Sequence, residues 1–381
     1  MKRLDITKLS AKIREDTERE ISENKLACKE VVVHQNGEEV YGEVFGTSSV
    51  GGAPARKGML YRIASMTKPI TSAAALTLID RGLLALDDRV SKFYPQAASL
   101  KIAEITDGKI TGYHTSGKEL TVRNLLSHTN GIDCLPLNRI VGPTLLDATL
   151  AEAVDDILSR PIAFEPDSEQ SYSETGGFDV AAGIVQLITG RPYDEYLKET
   201  FFDPLGMVNT TFAPTAGQKE NFVTVFDRTE DGRGTNVRMP DGCVFDNFTY
   251  RRMPAGAGLA STAEDYIKFA DMLCAGGKTP DGRVILTEKA VKMMSSPQIP
   301  DSIDMGFIKW GLGVRVITSE NHPFGLGVGC FGWSGAYGTH FWVDPVNGVT
   351  AVMMKNSDYD GGSDNHSSHD LEMAVAEALF S

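Results

Sequence analysis

The chain has 381 residues, 41 % of them hydrophobic and 23 % charged, which excludes disorder, collagen and coiled coil and is too long for a single core at roughly 150 residues per domain. Fifty-one acidic against 37 basic residues leave a formal charge of −14, a surface that repels phosphate backbones and excludes nucleic acid as an expected partner. No apolar run approaches the ~20 residues a membrane helix needs, and the polar segment 1–25 lacks an apolar stretch followed by a cleavage site, so a cytoplasmic protein without a membrane partner is expected.

In chain order, the polar N-terminus reads as an amphipathic surface helix. Val31–Val33 and Val40–Phe45 flank Asn36-Gly37, and such a dipeptide between β-rich runs predicts a hairpin because a type I′ turn needs two positive φ angles. Thr67–Arg81 is alanine- and leucine-rich and stops at Gly82, which predicts a buried helix. Leu146–Ser159, Gly176–Thr189 and Tyr193–Phe202 carry helical patterns. Ser261-Thr262-Ala263-Glu264 reads as a capping box for a helix ending at Gly276-Gly277. Strands are predicted over Gly313–Thr318, Thr339–Val343 and Val349–Met353, with a turn at Asp344–Gly348, and a last helix over Leu371–Leu379.

Strands near both ends with helices between them predict an α/β fold of the α+β sandwich type. Its antiparallel sheet, flanked by helices, would come from residues 1–95 and 255–381, with a mainly helical lobe inserted over 96–254. The five cysteines (Cys28, Cys134, Cys243, Cys274 and Cys330) form no C-x-x-C pair, and they read as reduced, mostly buried thiols.

The sharpest chemical feature is Ser65-Met66-Thr67-Lys68. At the start of a helix the serine and lysine lie one turn apart on one face. A serine hydroxyl needs a base within reach, a lysine serves once burial disfavours its charge, and a helix N-terminus offers N–H groups to an oxyanion. Pro69 fits only the first turn and so keeps both residues at the helix mouth. Alone, S-x-x-K reads first as a capping serine followed by a surface lysine. His128 alone suggests a Ser-His-Asp arrangement or a hydrogen-bonded turn. His366 and His369 lie in GGSDNHSSHD, which reads as a solvated loop and helix cap, so no metal is expected. Neither G-x-S-x-G nor a P-loop occurs, which argues against an α/β-hydrolase elbow and against a P-loop nucleotide site; no cofactor is expected.

With Leu125-Leu126-Ser127-His128-Thr129-Asn130-Gly131, Tyr172-Ser173-Glu174, Ala255–Thr262 and Trp333-Ser334-Gly335 added, the chain resembles the class C β-lactamase-like serine hydrolases of the penicillin-binding-protein fold, over roughly Val31 to Met354. The five segments correspond in order to S-x-x-K, L-L-x-H-T-S-G, Y-x-N, a glycine-rich stretch and K-T-G or H-x-G. The resemblance implies Ser65 as acylated nucleophile, Lys68 as its partner, and Tyr172 as general base and acid, titrating as a pair with Lys68. It implies an oxyanion hole of the Ser65 and Ala336 amides and places His128 in a structural turn. Trp333, Ser334, Gly335 and Glu174 would border the substrate.

Two departures matter. Glu174 stands where these β-lactamases carry asparagine, and Trp333 where they carry the lysine that holds a substrate carboxylate. A charged hydrogen bond contributes roughly 1.5–3 kcal/mol, and an indole cannot replace it, nor would Glu174 attract the same anion. The W-x-G form resembles the family's esterases, with Trp333 as an apolar wall for an uncharged group or as core packing. The expected protein is therefore a cofactor-free serine esterase for short-chain esters, acting on a small-molecule ester or amide. Rival readings are an acyltransferase, a weak β-lactamase or D-peptidase using the same serine, and a penicillin-binding module without turnover. The specificity loops at 135–149 and 225–252 carry no readable code, and oligomeric state is silent.

Overall fold

Asn36 and Gly37 have φ of 56° and 79°, the left-handed pair that closes the predicted hairpin. It joins β1 (Cys28–Gln35) to β2 (Glu38–Gly46). The protein is seen in a computed structural model that describes residues 1–49, 52–134, 137, 147–228, 235–237, 248, 251–357 and 365–380. Five later strands, β3 (Ile308–Trp310), β4 (Arg315–Ile317), β5 (Phe331–Ser334), β6 (His340–Asp344) and β7 (Val349–Met354), form a meander. The first hairpin docks on its end through β1 and β7, giving the order β3-β4-β5-β6-β7-β1-β2, with every neighbouring pair antiparallel.

Helices cover both faces. Val31, Val33, Ala351 and Met353 pack with residues of α1 (Ile6–Ser22) and of the terminal helix His366–Ala378. Val32, Val352 and Met354 join the larger core, with α2 (Thr67–Asp80), α3 (Leu150–Ser159), α4 (Gly176–Thr189) and α5 (Ala263–Cys274); the terminal helix is α6. Successive strand residues point to opposite faces, so a sheet covered twice needs the unbroken apolar runs seen in β1 and β7. Helix α2 buries twelve of its fourteen residues, as its alanine-rich sequence predicts.

Several boundaries differ from expectation. Thr262, not Ser261, caps α5, accepting from the Asp265 amide at 3.1 Å, because Ser261 is drawn into a two-residue ladder with Tyr61. The predicted helix Tyr193–Phe202 divides into an α-turn, Tyr193–Leu197, and a π-helical turn, Lys198–Phe202. Helix α6 begins at His366, capped by Asn365, whose side chain offsets the polar Ser-Ser-His turn. A second hairpin, Lys101–Thr106 with Lys109–Thr115, turns at Asp107-Gly108 with φ of 50° and 71°. The segment read as mainly helical thus carries a ribbon, and the same dipeptide signal was there to find it. Leu146, Cys243 and most of the two specificity loops lie outside the described residues.

Candidate active site

Ser65 lies in a single 3₁₀ turn, Ala64–Met66, that runs straight into α2. Ala64 before it has φ of 42°, a left-handed conformation that costs an alanine energy and persists only where surroundings enforce it. Those surroundings are explicit. Tyr266 Oη donates to the Met66 carbonyl at 2.7 Å, the Leu259 amide donates to Thr67 Oγ1 at 3.2 Å, and the Ile63 amide bonds the Leu259 carbonyl. The glycine-rich stretch thus serves as the mould of the serine turn.

Lys68 is fully buried, and its Nζ lies 3.3 Å from Ser65 Oγ, 2.5 Å from the Glu174 carbonyl and 2.9 Å from the Gly256 carbonyl. Three acceptors match the three N–H donors of an ammonium. Nζ also sits 4.7 Å from the centre of the Tyr172 ring, over its face, a cation–π contact. Lysine and tyrosine therefore meet ammonium to ring.

The phenol oxygen of Tyr172 accepts from Trp333 Nε1 at 3.2 Å. His128 stacks on the tyrosine ring at 4.6 Å and 26°, and Trp310 closes against both His128 and Trp333. His128 is buried and accepts the Ser173 amide on Nδ1 at 3.0 Å. Burial, then the charge of Lys68, pushes its pKa well below the usual range, so a neutral imidazole props Tyr172. Its hydrogen bond goes to the chain beside Tyr172, as a turn histidine's does.

The segment after Tyr172 is fixed from below. Asp133 Oδ2 accepts from the Thr175 amide at 3.2 Å and the Gly176 amide at 3.3 Å, capping α4. Asp179, one turn on, accepts the Ala255 amide at 2.7 Å and lies 3.2 Å from buried Arg252. Burial raises the Asp179 carboxyl to about 6 despite Arg252 and that amide. Glu174 contributes its main chain to Lys68, while its side chain is exposed at the cavity edge.

A cavity of about 310 Å³ opens over Ser65, lined also by Arg62, Tyr172, Glu174, Thr175, Leu259, Ala336 and Tyr337. Arg62, three residues before the serine, spreads its guanidinium over Phe222 and Phe248 at 4.8 and 5.3 Å. Sequence reasoning missed Arg62, Thr175 and Tyr337 as lining residues; for Arg62, its place on the turn before Ser65 was the available signal. Of the W-x-G segment, Trp333 is 6 % exposed and reaches Tyr172 instead of lining the cavity. Ser334 turns to the opposite face of β5 and meets His340 Nδ1 at 2.8 Å. Gly335 sits against the serine turn, where a Cβ would fall 2.3 Å from the Ile63 carbonyl oxygen. Ala336, which follows, borders the cavity. A larger cleft of about 670 Å³ elsewhere, among Asp80, Arg81, Arg191 and Arg283, holds none of these residues.

The sequence model of the family described as Beta-lactamase matches residues 14–372. The chain belongs to the beta-lactamase family. Among relatives in sequence, Protein Rv1367c of Mycobacterium tuberculosis (strain ATCC 25618 / H37Rv) is 31 % identical over 323 residues, 77 % of this chain and 76 % of that one. Esterase EstB of Burkholderia gladioli is 26 % identical over 412 residues, 99 % of this chain and 96 % of its own. The solved structure of EstCE1, a hydrolase with promiscuous acyltransferase activity, has a TM-score of 0.82 at 22 % identity, covering 97 % of this chain and 99 % of that one; that likeness is one of fold. The antiparallel sheet, the flanking helices and the serine at the mouth of α2 are thus those of a member of the beta-lactamase family.

Proposed function

We propose that the protein is a serine hydrolase that cleaves carboxylic esters, short-chain esters foremost, through an acyl-enzyme on Ser65. The observation that carries the reading is the position of Lys68 Nζ, 3.3 Å from Ser65 Oγ at the floor of a largely apolar cavity. The likeness to an esterase along nearly the whole chain supports it.

In this reading Ser65 Oγ bonds to the ester carbonyl carbon, and its proton passes through the Lys68–Tyr172 pair to the leaving alkoxide as the C–O bond breaks. Water then attacks the acyl group and returns a proton to Ser65. Amides of Ser65 and Ala336 hold the oxyanion; removing one such donor typically costs ~10²–10³ in rate. Trp333 acts through the Tyr172 oxygen it donates to, and Gly335 lets the strand end approach the serine turn. The exposed Glu174 at the cavity edge disfavours anionic substrates.

No helix among the described residues is long and apolar enough to cross a membrane. Cys28, Cys134 and Cys330 are buried free thiols, which supports a reducing compartment, the cytoplasm. Hydrolysis of chromogenic acetate and butyrate esters tests the activity, together with the intact mass of the protein after mixing. A transient acyl mass on Ser65 is expected, and turnover unaffected by Ser65→Ala would reject the reading.

A further inference from the structure

Behind the W-x-G strand lies a second polar constellation. Ser334 and His340 are cross-strand partners, the last pair of β5 and β6 before the connecting turn. Ser334 Oγ and His340 Nδ1 are 2.8 Å apart. His340 Nε2 lies 3.1 Å from Glu372 Oε1 on α6, at ion-pair distance though off the line of a hydrogen bond. Glu372 in turn pairs with Arg315 on β4. Ser334, His340 and Glu372 are 2 %, 1 % and 0 % exposed, so no substrate reaches them. The carboxylate beside Nε2 fixes the ring proton there and leaves Nδ1 to accept the serine hydroxyl. Burial alone would raise Glu372, but Arg315 and His340 outweigh it and hold the carboxyl at about 2; burial lowers His340.

The turn that this pair closes is held on its other face by Ile63, on the chain leading into the serine turn. Thr339 Oγ1 donates to the Ile63 carbonyl at 3.2 Å, the Gly335 amide bonds the Thr339 carbonyl at 2.7 Å, and Gly335 packs on Ile63 with no room for a Cβ. Ala336 sits inside this turn. A buried polar chain ending one residue before Gly335, which packs on Ile63, restricts where the Ala336 amide can point.

We propose that Ser334, His340 and Glu372, anchored by Arg315, are positioning residues: they brace the β5–β6 turn from the side opposite Ser65 and aim the Ala336 amide at the developing oxyanion. This rests on the acyl-enzyme reading above. It also makes α6, which supplies Glu372, a structural partner of the reaction from the far face of the sheet. At low dielectric the Ser334–His340 hydrogen bond and the Glu372 ion pairs are strengthened, and small errors in such aim cost rate steeply.

The test compares wild type, Ser334→Ala, Ser334→Thr and His340→Gln with a butyrate ester and with a boronic acid that mimics the tetrahedral adduct. Expected for Ser334→Ala is a kcat about 10-fold lower with KM within about 2-fold, and a boronate Ki weakened in step with kcat. Ser334→Thr, which restores a hydroxyl, recovers most of kcat, and His340→Gln follows Ser334→Ala. If His340→Gln does not fold, the two serine variants decide alone, since a Ser→Ala change removes one oxygen and leaves packing intact. A kcat and Ki unchanged in a folded Ser334→Ala would overturn the proposal, as would a loss confined to KM. A wild type that turns over no ester and acquires no acyl mass would instead reject the hydrolase reading on which it rests.

Discussion

Trp333 donates its indole N–H to the phenol oxygen of Tyr172 across 3.2 Å, and the tyrosine ring meets both the Lys68 ammonium and the His128 ring. A donor aimed at that oxygen steadies the phenolate that general-base action requires. Trp333→Phe keeps the packing and loses the donor, so kcat should fall about 10-fold, the equivalent of ~1.4 kcal/mol for one hydrogen bond. Tyr172→Phe should cost ~10²–10⁴. The double variant should be no slower than Tyr172→Phe alone. Steady-state kinetics of the four proteins checks this, and additive losses would show that the indole acts elsewhere.

Lys68 satisfies three acceptors with one ammonium. Lys68→Met should lower kcat/KM at least ~10³-fold, because nucleophile activation and the positive charge beside Ser65 vanish together. Lys68→Arg should not restore it, since a planar fork cannot reach the same three points. Rates of Ser65 labelling by a fluorophosphonate give the reading independently of turnover; near-normal labelling in either variant would remove Lys68 from the chemistry.

Gly335 tests the close approach of strand and serine turn. A methyl there would meet Thr339 Oγ1 at 2.2 Å and the Ile63 carbonyl oxygen at 2.3 Å. Gly335→Ala must push β5 and the serine turn apart, so kcat should fall ~10²-fold or more, with a cooperative thermal transition retained. Unchanged kcat would mean that the turn yields freely.

Glu30 gives a pH signature. This buried carboxyl on β1 is pushed up to about 7, chiefly by burial with repulsion from Glu264, against the nearby Tyr61 hydroxyl. An unfolded glutamate titrates near 4.5. Between those values the unfolded chain sheds a proton that the fold retains, so stability declines as pH rises from about 4.5 to 7 and is level above. The full effect is on the order of 3 kcal/mol. Glu30→Gln should therefore raise Tm clearly more at pH 8 than at pH 5, measured by circular dichroism on both proteins. An equal shift at the two pH values would contradict the buried, neutral carboxyl.

What the sequence displayed was mostly local. Ser65 and Lys68 were legible because one helical turn brings them together, and the first hairpin because Asn36-Gly37 permits little else. Tyr172 stood out only through its likeness to a family motif, since nothing local marks a tyrosine in a Ser/Glu-rich loop. Its bond to Trp333 spans 161 residues, a distance at which side-chain pattern is silent, so the indole read as a substrate wall or as core packing. The direction of Ser334 was within reach: strand alternation sends it opposite to Trp333. Its partners on β6 and α6 required the fold. The likeness gave Glu174 as a residue bordering the substrate, but not that its main-chain carbonyl accepts from Lys68.

The docking of β1 on β7 has a consequence for biogenesis. The two strands are separated by roughly 300 residues, so at ~5–20 residues per second a ribosome would spend about 15–60 s on the interval between them. Throughout that time the nascent hairpin shows an unsatisfied, valine-rich edge, the kind of surface that pairs with wrong neighbours. Synthesis in a crowded cell therefore exposes this edge, and chaperone capture during translation would cover it.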